Sequence, residues 1–323
     1  MGNTRAGLHI GRACPTCPLM TNDIQDMTAD QVTVFQLENQ PVRGRAVKLG
    51  AALDKALNPG GKSRYPDAIA KLLGDSMMVG ALVAQSLKFD GRLVVQCHGT
   101  NDGAISLLIA DCTTDGHIRG YARWDEDKLK EIELDSKNPG ADILLGGGTF
   151  SMTIDQGADM DQYQGIAAIE GESLSSCAEH YFNQSEQIPT RIQLACGQSI
   201  DETGAHWVGA GMMIQKIADD EAREDATPPW ETAQQLFATL TDAELIDPEV
   251  STDTLLYRLF NEYGVRVVER HDVEAKCRCS RDRLLDTLKS FEASALGDMA
   301  EDGVISANCE FCATEYKFPV KDI

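Results

Sequence analysis

Four cysteines near the C-terminus constrain this chain more tightly than any other feature. They stand as Cys277-Arg278-Cys279 and, 29 residues later, as Cys309-Glu310-Phe311-Cys312. Two close pairs brought together by a folded intervening segment supply four thiolates at about 2.3 Å around one tetrahedral zinc, with no open position for a substrate water. That is a structural donor set. The first pair is C-x-C rather than C-x-x-C, a departure from ordinary zinc ribbons. Thiols one residue apart can also be oxidised to a disulfide, so the same cysteines can hold zinc when reduced and lose it when oxidised. The alternative is a set of unligated core cysteines.

The flanking sequence supports a small folded unit. Ser280 is placed to cap a helix from Arg281 to about Phe291, and Glu301-Asp302-Gly303 is a turn before the second pair. Leu285 and Phe311 pack this unit in the simplest reading. A piece of roughly 50 residues, from about 272 to 323, rarely builds a sufficient core without a metal. A structural zinc in finger-type peptides is worth about 10 to 16 kcal/mol, so loss of the metal should unfold the piece.

The rest of the chain, 323 residues in all, is long enough for a further domain. A net charge of -22 repels phosphate backbones and anionic lipid, so nucleic acid and membrane are excluded as default partners. No run approaches the roughly 18 apolar residues of a membrane span, and the first 20 residues lack an apolar signal core. Met1-Gly2-Asn3-Thr4-Arg5-Ala6 has alanine where a myristoylation site wants serine or threonine. Ten cysteines without a secretion signal point to a reducing cytoplasm; a cleaved presequence carrying Arg5 and Arg12 is the alternative.

Residues 1–22 are rich in small, polar and proline residues and read as a flexible tail. They hold Cys14-Pro15-Thr16-Cys17, which resembles a dithiol redox site but lacks a strand-to-helix context to lower a thiol pKa. Residues 23–217 read as one α+β domain with a mixed or antiparallel sheet. Its strands are expected at Gln31–Leu37, Leu93–Cys97, Ile105–Ala110, His117–Arg123, Thr149–Ile154 and Gly165–Ile169, with apolar segments at Arg191–Ala195 and Trp207–Gln215. Asn101-Asp102-Gly103 marks a hairpin, and Arg43-Gly44-Arg45 follows a turn around Pro41. Pro66–Leu87 carries apolar residues at helical spacing and reads as a long core helix; Glu172–Tyr181 is a shorter one.

At Ala218 the composition turns acidic through Asp225 and then meets Pro228-Pro229, marking a domain boundary. Residues 218–271 read as a helical linker with amphipathic pieces at Trp230–Leu240 and Thr252–Phe260, split by Asp247-Pro248. Each has one narrow apolar stripe and must dock on something to persist. A helix that exists only while docked can be switched. Residues 272–323 form the zinc-binding domain.

With these motifs in view the sequence resembles the 33 kDa heat shock protein family of redox-regulated holdase chaperones. The resemblance runs from about residue 31 to 319. It rests on Lys88-Phe89-Asp90-Gly91, Arg119-Gly120, Tyr163-Gln164-Gly165, Tyr181-Phe182, Ser185-Glu186-Gln187-Ile188-Pro189-Thr190 and the four cysteines. It implies a resting state with one zinc on Cys277, Cys279, Cys309 and Cys312. On oxidation Cys277 pairs with Cys279 and Cys309 with Cys312, zinc leaves, the linker unfolds and the core exposes apolar surface to unfolding client proteins without ATP. It also implies an oxidised homodimer, reset by thiol reductants and hand-over to foldases. His98-Gly99-Thr100-Asn101-Asp102-Gly103-Ala104 lacks the family's usual glycine and proline, and Asn261 replaces a common histidine.

Three rival readings are weaker. A zinc-ribbon interaction protein with a purely structural metal is one. A nucleic-acid module would use Arg278, Arg281 and Arg283, against the overall charge. An enzyme would need a convergent catalytic set: His180 and Ser185 have no nucleophile elbow, and Leu144-Leu145-Gly146-Gly147-Gly148 lacks the residues of a nucleotide loop. Cys97, Cys112, Cys177 and Cys196 lie in apolar segments and read as inert core residues.

Overall fold

The computed structural model describes residues 30–38, 40–87, 90–157, 160–202, 204–217 and 229–323. The tail with Cys14 and Cys17, the Lys88-Phe89 pair and the acidic boundary from Ala218 through Pro228 lie outside the described residues.

The chain opens with β1 (Gln31–Leu37), β2 (Val42–Leu49) and α1 (Ala51–Leu57), then the central helix α2 (Asp67–Ala84). Strands β3 (Arg92–His98), β4 (Ile105–Thr113) and β5 (His117–Trp124) follow, then α3 (Glu126–Asp135), α4 (Ala141–Leu145), β6 (Thr149–Asp155), β7 (Tyr163–Ala168) and α5 (Leu174–Tyr181). The long hairpin of β8 (Thr190–Asp201) and β9 (Gly204–Lys216) closes this part. Next come α6 (Pro229–Phe237), α7 (Asp242–Ile246), α8 (Thr252–Phe260), β10 (Val265–Asp272) and β11 (Glu274–Ala275). The C-terminal module is α9 (Arg281–Leu288), α10 (Ala293–Met299), β12 (Val304–Asn308) and β13 (Glu315–Pro319).

Two main sheets face each other across α2. One has strand order β10-β1-β2-β9-β8 and the other β11-β5-β4-β3-β6-β7, antiparallel throughout except where β11 runs parallel to β5. Because side chains alternate across a strand, each sheet offers one face to α2. Val32, Val47, Ile192 and Met213 meet the helix from one side, and Val95, Leu108, Ala110 and Phe150 from the other, in a continuous core. Helix α2 is apolar nearly all round, as a helix buried between two layers must be.

Two glycines of α2 let the sheets approach. A Cβ on Gly74 would lie 2.6 Å from the Cys196 sulfur of β8, and one on Gly80 would lie 2.5 Å from the Cys112 sulfur of β4. The glycines face opposite sheets, and the two cysteines fill the space they leave. These thiols are packing groups.

The outer face of the five-stranded sheet is also apolar: Phe35, Leu37, Val42, Met212 and Ile214 are covered by Trp230, Phe237, Leu240, Leu255, Leu256 and Phe260 of α6 to α8 and their connections. Phe35 and Phe260 stack with ring centroids 6.0 Å apart. Three polar ties hold the layer down. Lys48 Nζ donates to the carbonyls of Asp247, at 3.1 Å, and Val250; Gln193 Nε2 donates to Asp242 Oδ1 at 2.7 Å; and Arg270 Nη2 bonds both Asp253 oxygens at 2.7 and 2.8 Å.

The segment after α8 is a strand where the sequence reading assigned only linker. β10 adds to the edge of the five-stranded sheet beside β1, with Val265 and Val267 against the linker-side core. Its charged residues Arg266, Glu269, Arg270 and Asp272 obscure the alternation, because an edge strand covered on one side tolerates them. The chain then crosses directly to the other sheet through β11. Substituting Gly80→Val is expected to lower stability by about 1–3 kcal/mol through overpacking against Cys112 and Val95. A denaturant midpoint unchanged within 0.1 M at equal slope, taken as roughly the precision of such a fit, would contradict this close approach.

Candidate metal and redox centre

Each cysteine pair sits in a short connection between elements whose backbone is fixed on both sides. β11 lies parallel to β5, and the amide of Lys276 donates to the Ile118 carbonyl at 3.1 Å, which aims the chain into Cys277. Cys279 is followed by Ser280, the cap of α9, whose hydroxyl accepts from the Arg283 amide at 3.2 Å. The helix anticipated from Arg281 is present and ends at Leu288. Cys309 and Cys312 occupy the turn between β12 and β13. There the Cys309 amide donates to the Thr314 carbonyl and the Ala313 amide to the Cys309 carbonyl, each at 2.9 Å, with Ala313 at φ +55°. Asp302 and Gly303, both at positive φ, form the tight turn that starts β12.

These turns bring the four sulfurs within 4.8 Å of one another. Cys277 and Cys309 approach to 3.6 Å and Cys279 and Cys312 to 3.4 Å. A tetrahedron with metal–sulfur bonds of about 2.3 Å has edges of about 3.8 Å, so the donor set fits one zinc-sized ion. Around the sulfurs, Tyr316 Oη lies 3.1 Å from Cys279 Sγ, Thr314 Oγ1 lies 3.1 Å from Cys312 Sγ, and Arg119 Nη1 donates to Cys277 Sγ at 3.7 Å. Such neighbours orient and stabilise thiolates. Burial pushes the Cys279 thiol up to about 12 and raises Cys309. Cys312 is also subject to burial, but hydrogen bonds from Thr314 and the thiols of Cys279 and Cys277 bring it down to about 7. Four thiols this close compete for negative charge, and a bound cation relieves that competition.

The family model described as "Hsp33 protein" matches residues 30–319. The chain belongs to the Hsp33 family. A 33 kDa chaperonin of Caulobacter vibrioides is 50% identical over 289 residues, covering 89% of this chain and 94% of that protein. A 33 kDa chaperonin of Chromobacterium violaceum is 35% identical over 295 residues, covering 91% and 92%. The fold matches the crystal structure of the Thermotoga maritima 33 kDa chaperonin with a TM-score of 0.75 at 22% identity, over 91% of this chain and 96% of that one. These Hsp33 relatives are named chaperonins, not enzymes.

Within this Hsp33 member the other described cysteines are unlike the four. Cys97, Cys112, Cys177 and Cys196 are buried, and burial raises the pKa of each. Gly146, Gly147 and Gly148 have positive φ and form a turn after α4. Among the described residues no helix is long and apolar enough to cross a membrane.

The sequence reading did not nominate the core residues beneath the centre. Asp111 of β4 is buried and receives Arg119 Nη2 at 2.7 Å and Arg278. Tyr121 Oη donates to Glu310 Oε1 at 3.0 Å, and the Arg119 guanidinium lies 4.1 Å from the Phe311 ring centroid. The one charged residue of β4, Asp111, is the signal the sequence offers.

The module's own core is small: Leu296, Ile305 and Phe318 are its buried apolar residues. Chelating the metal from the reduced protein, or substituting Cys279→Ser, is expected to unfold residues 277–319. Amide exchange in β12 and β13 should then rise at least a hundredfold, on the order of 3 kcal/mol or more of lost protection. Protection retained after metal removal would mean the module folds on packing alone.

Proposed function

We propose that this chain is a redox-regulated, ATP-independent holdase for unfolding proteins, with the reduced, zinc-bound form at rest. Cys277, Cys279, Cys309 and Cys312 hold one zinc, which when bound supplies a cross-link between the two turns and no chemistry of its own. The observation that carries the reading is the gathering of four partly exposed thiols into one cluster, in a module whose own apolar core is small.

On oxidation, Cys277 and Cys279 lose two electrons and form one disulfide, and Cys309 and Cys312 lose two and form the other. With peroxide as oxidant, two molecules take the four electrons and, with four protons, become four waters; the cysteines release their zinc as the thiolates are consumed. The module around residues 272–323 then loses its main constraint. The linker, residues 218–271 in this division, follows.

The linker is suited to this. Burying a large apolar side chain contributes roughly 1.5–3 kcal/mol, while ordering each backbone residue costs roughly 1–2 kcal/mol. Helices α6 to α8 place Trp230, Phe237, Leu255, Leu256 and Phe260 on the sheet but carry many residues that bury little, so the two terms are of similar size. Undocking uncovers Phe35, Leu37, Val42, Met212 and Ile214, a contiguous apolar surface for clients. Two such surfaces fit the dimer expected of the oxidised form. Thiol reductants in the cytoplasm, followed by foldases, complete the cycle.

The test is to follow released zinc and suppression of client aggregation together, before and after peroxide at mildly elevated temperature. About one zinc per chain should leave as holdase activity appears, and reductant with zinc should reverse both. Trp230, now 6% exposed, should shift its emission to the red. Zinc loss without client binding would reduce the centre to a structural element.

A further inference from the structure

The residues between the cysteines are the ones that touch the core. Arg278, inside the first pair, reaches Asp111; Glu310 and Phe311, inside the second, reach Tyr121, Arg123, Arg119 and Arg64. All the core partners except Arg64 lie on one face of β4 and β5, the face pointing away from α2. Asp111 is the pivot. Its side chain is 4% exposed, and Arg119 and Arg278 meet one of its oxygens, with Arg92 at 3.5 Å from the same atom. Arg92 also pairs with Asp155 at 2.5 Å.

We propose that this outer face of β4 and β5 is a charge-sensing dock for the chain's own cysteine module, holding it while the four sulfurs are ionised and releasing it when they are oxidised. The inference rests on the redox reading above and names the contacts that carry its regulation. Four thiolates around a dication carry a net charge of -2. Arg119 donates to Cys277 and to Asp111 at once, so its guanidinium is shared between Asp111 and the sulfur cluster, and Arg278, whose guanidinium bonds Asp111, is the residue between Cys277 and Cys279. Three arginines then face Asp111, Asp155 and the anionic centre, with attraction dominant. Two disulfides and free zinc leave the centre neutral, four electrons having passed to the oxidant. Arg92, Arg119 and Arg278 now share only two carboxylates, and Arg278, carried on the mobile side, is the one repelled.

The geometry makes release reversible. Asp111 keeps Arg119 and Arg92 when Arg278 departs, so no buried carboxylate is left unpaired and the core stays folded. Ring closure within each pair also reorients the residues between the cysteines, pulling Phe311 from under the Arg119 guanidinium and Glu310 from Tyr121. Once the module lifts, the chain between β10 and Cys277 is held by the two-residue strand β11 and the single backbone bonds of Val273 and Lys276 beside it. Through β10 the disturbance reaches Arg270, which bonds Asp253 of α8.

The test uses the full chain with Arg278→Gln, which leaves the Asp111–Arg119 and Asp111–Arg92 pairs in place, and separately Asp111→Asn with Tyr121→Phe, which alters only the core side. Three readouts are taken on the reduced proteins: zinc per chain, amide exchange over 274–280, and the rate of activation by peroxide, with Arg278→Lys as the charge-retaining control. Both altered proteins should keep zinc yet exchange the 274–280 amides and activate at least tenfold faster, and Arg278→Lys should restore most of the difference. Unchanged exchange and activation in a folded Arg278→Gln protein would overturn the dock. So would loss of zinc from that protein, since Arg278 would then act on the metal site itself. A wild-type protein that releases zinc without gaining client binding would instead overturn the holdase reading and leave the dock to be judged by exchange alone.

Discussion

Four sulfurs within 4.8 Å of one another carry a load that packing does not. Among the described residues the module they belong to buries Leu296, Ile305 and Phe318, with Leu284, Leu285, Leu288 and Tyr316 partly buried against them, so a bond among the thiols adds much to so small a core. On the proposed reading the same thiols share a cation when reduced and form disulfides when oxidised. On that reading a single local property, the charge and valence of sulfur, decides whether the C-terminal end of the chain keeps its structure.

The rest of the molecule is arranged around that dependency in order of decreasing independence. Helix α2 and the two sheets bury a continuous core with its own close packing at Gly74 and Gly80, and need nothing from the cysteines. The linker helices have no second apolar surface and exist by lying on the five-stranded sheet. β10 belongs to that sheet and β11 to the other, so the strand pair ties both sheets to the start of the cysteine module. On the proposed reading order passes from centre to linker along a covalent path of a few residues, supplemented by the arginines around Asp111.

Much of this was legible in the sequence, for local reasons. β1 and α8 have the bounds that their alternation and helical spacing indicated, and α2 begins after Pro66, where a fixed φ favours a helix start. The four cysteines were legible because ligand spacing is a short-range pattern. What escaped was non-local. β10 is masked by its charges, and β2, to which the sequence reading assigned no strand beyond Arg43-Gly44-Arg45 following a turn around Pro41, contains Gly44 because glycine there makes room for the Phe35 ring on the neighbouring strand. The contacts of Asp111 with Arg278 and of Tyr121 with Glu310 join residues far apart in sequence, and no spacing rule connects a carboxylate on β4 to a guanidinium between two metal ligands.

The graded dependence of module, linker and core on the sulfur centre is the central claim, and native-state hydrogen exchange along the whole chain tests it most directly. Measured on the reduced zinc form and the fully oxidised form, protection should vanish over 277–319 and over α6 to α8, while α2, β3, β4, β8 and β9 keep theirs. A uniform loss across all elements, or a linker that stays protected after the module has opened, would contradict it.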